Sequence, residues 1–93
     1  MNKSKYDAWS EFHAANPHVY DLIEQFAFDV IRAGYRRFGM QSIIERVRWF
    51  TLMESEGDRF KINNNFEPYY ARLFMARNPQ HDGFFRTRKL KGN

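Results

Sequence analysis

The chain reads as an α+β domain: mainly helical, with three to four helices and a small two- or three-stranded β-sheet. Three patterns carry that expectation. Apolar residues recur at helical spacing in Val19, Leu22, Ile23, Phe26 and Val30, and again in Ile43, Val47 and Phe50. Polar and apolar residues alternate from Arg59 to Asn63, as in a half-buried strand. The end of the chain, Phe84-Phe-Arg-Thr-Arg-Lys-Leu-Lys91, reads as a basic strand that pairs with Arg59–Asn63.

Tyr6 to Ala14 sets Tyr6, Trp9, Phe12 and His13 at helical spacing, which predicts a short helix laid over the core. Asn16-Pro17 ends it and opens the next, because asparagine accepts from an orphan amide and proline at the first helical position loses no hydrogen bond. That second helix runs to about Ala33, with Arg32 at its negative end and Gly34 as a left-handed stop. The basic connector Tyr35-Arg-Arg-Phe-Gly39 leads to a third helix, Met40 to Glu54, in which Ser42-Ile-Ile-Glu45 matches a capping box. Glu56-Gly57-Asp58 makes a turn before the first strand, where Phe60 and Ile62 face inward. A fourth helix, Asn65–Arg77, tolerates Pro68 in its first turn and stops at Asn78-Pro79; Pro79–Gly83 is a loop.

Ninety-three residues make one domain, an N-terminal segment over 1–15 followed by a core over 16–91. Hydrophobic residues are 43% of the chain and aromatics 18%, enough for so short a chain to build a dense core. Without cysteine there is no disulfide, thiol chemistry or thiolate zinc site. The N-terminus lacks the apolar stretch of a signal peptide and no apolar run could span a bilayer, so a cytoplasmic protein is expected. His13, His18 and His81 have no metal-ligand spacing, so neither metal nor cofactor is expected. Glu54, Glu56 and Asp58 read as a polar turn rather than a two-metal site, and neither a glycine-rich phosphate loop nor a Ser/His/Asp set is present. A non-enzymatic protein is therefore expected.

Charge is distributed unevenly. Residues 1–33 set Lys3, Lys5 and Arg32 against Asp7, Glu11, Asp21, Glu24 and Asp29, whereas residues 34–93 hold 12 basic and 6 acidic groups. This asymmetry suits one face that meets a polyanion. Asn63, Asn64 and Asn65 precede the fourth helix, on which Tyr69 and Arg72 share a stripe; these amides, hydroxyls and guanidiniums are of the kind that contacts bases and phosphates. Arg86, Arg88, Lys89 and Lys91 follow Asp82 with no acid among them, as in a strand laid along a phosphate backbone. Asparagines are also good caps, and a charged edge strand also resists aggregation, so each feature has a structural reading beside the functional one. Arg36, Arg37, Arg46 and Arg48 read more simply as a solvated face with Glu45–Arg48 pairing.

The order of elements from about Pro17 to Arg88 resembles a winged-helix domain. The segments Gln41-Ser-Ile-Ile-Glu-Arg-Val-Arg48, Phe60-Lys-Ile-Asn-Asn-Asn65, Tyr70-Ala-Arg72 and Gly83-Phe-Phe-Arg86 are also similar to short, functionally uncharacterised bacteriophage and prophage proteins, a likeness that implies no activity. The winged-helix resemblance implies that Met40–Glu54 is the supporting helix, Asn65–Arg77 the recognition helix and Phe84–Leu90 part of the wing. The connection between those two helices, about ten residues, is longer than the usual turn of three or four. The resulting expectation is a DNA-binding protein of phage or bacterial origin that prefers double strands and could act as a homodimer on two half-sites. The alternative is a protein-interaction module, a phage factor that binds a host protein or a larger assembly, with Trp9, Phe12, Tyr69, Phe84 and Phe85 as anchors if exposed.

Overall fold

In the computed structural model, which describes residues 4–54 and 62–87, four α-helices follow one another: α1 (Lys5–Ala15), α2 (Pro17–Arg32), α3 (Met40–Glu54) and α4 (Glu67–Arg77). Short 3-10 turns at Asn64–Phe66 and Pro79–His81 flank α4. The helices α2 and α3 pack on each other, α4 packs on α3, and α1 crosses α2 and the Asn64–Phe66 turn.

The helix boundaries have local causes. Ser4 Oγ accepts from the Asp7 amide at 3.0 Å and caps α1. Asn16 differs from expectation: its Nδ2 donates back to the Phe12 carbonyl at 3.1 Å, closing α1, and makes no side-chain cap for α2. Asn78 repeats the device at the end of α4, with Nδ2 donating to the Phe74 carbonyl at 3.0 Å. In both places the proline that follows opens the next turn without losing a bond. At the end of α2, Tyr35 N–H donates to Val30 and Gly34 N–H to Ile31, with Gly34 at φ +100°, the double closure of a Schellman motif. The helix α3 starts at Met40, ahead of Ser42, and the Glu45 carboxylate turns to Arg48 rather than back to an amide, so the capping box does not form.

The core is aromatic. Trp9, Tyr20 and Tyr70 cluster where α1, α2 and α4 meet, and Trp9 stacks on His13 with centroids 5.3 Å apart. Phe74 forms a second cluster with Phe84, Phe85 and Phe28. Val19, Ile23, Ile43, Ile44 and Val47 fill the α2–α3 seam with at most 1% exposure each, so the two expected stripes do face one another.

The expected α+β architecture is corrected: among the described residues the chain is all-helical, with no strand and no sheet. Alternation fails at the C-terminal segment, where Phe84 and Phe85 are both buried, at 5% and 1% exposure. A half-exposed strand would show one of them to solvent. Side chains wedged against Phe74 therefore pin this segment, and its pairing is a single parallel bridge between Phe38 and Phe85. Among the described residues its partner is the 35–39 connector. In the segment before α4, Ile62 is buried and Asn63 already caps the next turn, with Oδ1 accepting from the Asn65 amide at 2.9 Å. The rest of the expected first strand, Arg59 to Lys61, and of the expected wing, Arg88 to Leu90, lies outside the described residues.

Candidate interaction surface

The helix α3 has two apolar faces. Met40, Ile43, Ile44 and Val47 enter the core. At about 100° per residue, Trp49 lies on a different arc, Phe50, seven residues from Ile43, at the border between the two, and Met53 beside Trp49. They are 66%, 40% and 74% exposed, so a tryptophan, a phenylalanine and a methionine lie together in solvent on two successive turns. Phe50 meets the Phe26 ring edge-on at 5.9 Å, which ties this arc to α2. Between the helices runs an open groove of about 560 Å³, lined by Gln25, Phe26, Asp29, Arg46, Trp49, Phe50 and Met53. On the other flank of Trp49 a second hollow of about 500 Å³ is lined by Glu45, Arg46, Arg48 and Leu52. Trp49 is thus a ridge between two depressions.

The charges around this ridge are unequal. Asp29 is paired with Arg32, and Glu45 with Arg48. The Arg46 guanidinium lies 4.6 Å from the centroid of Phe26, over its face, and has no carboxylate partner among the described residues. A guanidinium stacked on a ring keeps its in-plane N–H groups for other acceptors.

The residues singled out from sequence are placed elsewhere, and mostly committed within the fold. Asn63 is a cap. Asn64 Oδ1 accepts from Arg48 at 2.7 Å. Asn65 is exposed beside them. Tyr69 is half-buried, stacked on Trp9 at 5.6 Å and edge-on to Tyr6. Arg72 is half-buried and donates to the Pro68 carbonyl at 3.3 Å. Arg86 is exposed at the rim of a groove shared with Gly39, Gln41, Glu67 and Thr87. Arg88, Lys89 and Lys91 lie outside the described residues. Of the anchors considered for a protein partner, Trp9, Phe84 and Phe85 are buried, and Phe12 and Tyr69 half-buried.

Two groupings were not foreseen. Trp49 and Met53, one turn apart and off the Ile43–Val47 stripe, make a second stripe whose signal was present in the sequence. The Phe38–Phe85 bridge also brings the 36–38 and 84–86 segments side by side, with Arg36, Arg37 and Arg86 all exposed.

Three buried polar atoms have no hydrogen-bond partner among the described residues: Trp9 Nε1, His13 Nδ1 and Tyr70 Oη. Burial lifts the Tyr70 hydroxyl well above the phenol range; the nearby Trp9 N–H offsets part of that without reaching hydrogen-bond geometry. Burial, then the Arg77 charge, hold His13 below its ordinary value of 6.5, with Asp21 acting the other way. These groups belong to the core that seats α1. Among the described residues no three His, Cys, Asp or Glu side chains gather to hold a metal ion, and no helix is long and apolar enough to cross a membrane. Comparison with protein-family models, curated proteins and solved structures found no match.

Proposed function

We propose that this protein is a non-enzymatic protein-interaction module that docks a partner through the α2–α3 face. The exposure of Trp49, Phe50 and Met53 beside an apolar groove carries this reading. Scattered exposed apolar residues are ordinary, whereas a contiguous set rimmed by polar groups marks an interaction surface. Burying the apolar surface they still expose would contribute roughly 25 cal/mol per Å², and tryptophan is prominent among interface residues that dominate affinity. Selection from a displayed library of helical peptides tests the proposal. Clones enriched on the wild-type protein should be lost on a Trp49→Ala/Met53→Ala variant. A library that enriches equally on both variants contradicts it.

A second reading, DNA binding, draws on one observation. The Phe38–Phe85 bridge sets exposed Arg37 and Arg86 on neighbouring segments, and neither is ion-paired among the described residues. Such a cluster suits phosphates, and the contact would weaken steeply with salt. Anisotropy of a labelled duplex at low and moderate salt tests it, with Arg37→Glu/Arg86→Glu as the control. Binding that this variant retains, or no binding at low salt, removes the reading.

A further inference from the structure

We infer that the occupant of the α2–α3 groove is an acidic amphipathic helix of another protein, with apolar side chains one turn apart against Trp49, Phe50 and Met53 and a carboxylate on Arg46. This rests on the docking role proposed above. Charge complementarity chooses the occupant. Asp29 and Glu45 are paired with Arg32 and Arg48, so among the described residues Arg46 is the charge at the groove without a carboxylate partner. Its face is occupied by Phe26, and its N–H edges suit bidentate pairing with a carboxylate. A second copy would bring the same face, with another Arg46, from a chain of formal charge +4. Two chains of that net charge repel one another, which disfavours the self-pairing.

Geometry selects a helix. The groove lies between α2 and α3, where a third rod completes ridge-into-groove packing on both. From Arg46 to Met53 the ridge is two turns, about 10 Å long, which matches anchors spaced at i, i+3 or i+4, and i+7 on the partner.

The test uses a labelled, helix-stabilised peptide of about five turns, with leucine at those spacings and glutamate flanking them, and a sister peptide with lysine in place of glutamate. Both are titrated into the full chain at low salt and read by anisotropy. The glutamate peptide should bind about tenfold or more tightly than its sister. Arg46→Glu should reverse that order, and Trp49→Ala should abolish both. Equal binding of the two peptides, dependent on Trp49, would overturn the acidic occupant and leave the docking face intact. Binding of neither peptide overturns both, as does concentration-dependent dimerisation in sedimentation that Trp49→Ala removes, because the face then takes a second copy. Since Trp49 and Arg46 are exposed, the variants should fold, which thermal melts verify.

Discussion

Arg48 on α3 donates to Asn64 Oδ1 at 2.7 Å, sixteen residues further along the chain, and the same guanidinium reaches the Ile62 carbonyl and Glu45. One side chain therefore fastens the approach to α4 onto α3, and Asn64 is an acceptor inside the fold. Replacing Arg48 with alanine should destabilise the protein by about 1.5–3 kcal/mol, the range for hydrogen bonds to a charged group. Lysine should restore only part, because an ammonium lacks the planar fork. Urea melts of the two variants measure this; equal stability of Arg48→Ala and wild type contradicts the fastening role.

Tyr70 is completely buried and its hydroxyl has no partner among the described residues. An unsatisfied buried hydroxyl costs stability, and removing it while keeping the ring removes that cost. Tyr70→Phe should therefore be neutral or stabilising by up to about 1 kcal/mol. Tyr20 has the opposite outcome. Its hydroxyl donates to Glu24 Oε2 at 2.8 Å, and Asn78 Nδ2 donates to the same oxygen at 3.2 Å. Tyr20→Phe should cost about 1 kcal/mol. Thermal melts that rank the two variants in reverse would refute the assignment.

His13 links stability to pH. Its folded pKa is depressed below 6.5 by burial and by Arg77, against the opposing Asp21. Between the folded and unfolded values the unfolded chain binds the extra proton. Stability from neutral His13 is thus complete above about pH 6.5 and is lost as pH falls through the depressed folded value. The neighbouring rings, Trp9, Tyr20 and Tyr70, are uncharged in that window. Urea melts from about pH 8 to pH 5 should show a decline that His13→Asn flattens. The same slope in both proteins would assign the effect elsewhere.

Trp49 and Met53 should matter little to folding. At 66% and 74% exposure they contribute little burial, so Trp49→Ala and Met53→Ala should each shift stability by less than about 0.5 kcal/mol. Arg46→Ala tests the neighbouring cation–π contact with Phe26, which at an exposed site is expected to contribute about 0.5–1 kcal/mol. A large loss of stability in Trp49→Ala would make that residue part of the core and not of a docking face.

The helices were legible because each has a local cause. Val19, Ile23 and Phe26 fall on one stripe, Gly34 takes the positive φ that ends α2, and Asn78-Pro79 ends α4. Alternation around Ile62 and the run after Phe84 are local patterns, while strands require a ladder with a distant partner, and no such ladder forms among the described residues. Phe84 and Phe85 found that partner in Phe74, through side chains. The surface was harder still. Whether Tyr69 or Trp49 is exposed depends on where α1 lies: Trp9 stacks on Tyr69, and nothing among the described residues covers Trp49. The order of residues along α1 does not say which face of α4 it will cover.

The most direct measurement of the central claim is site-resolved photo-crosslinking in cells that express the protein natively. Benzoylphenylalanine would replace Trp49 in one variant and Tyr35, which is 57% exposed on the connector, in another. A docking face on α2–α3 predicts a discrete protein adduct from position 49 and none from position 35, and an acidic occupant predicts that the adduct is lost when Arg46→Glu is added. Adducts only from position 35, or adducts to nucleic acid from either, would contradict it.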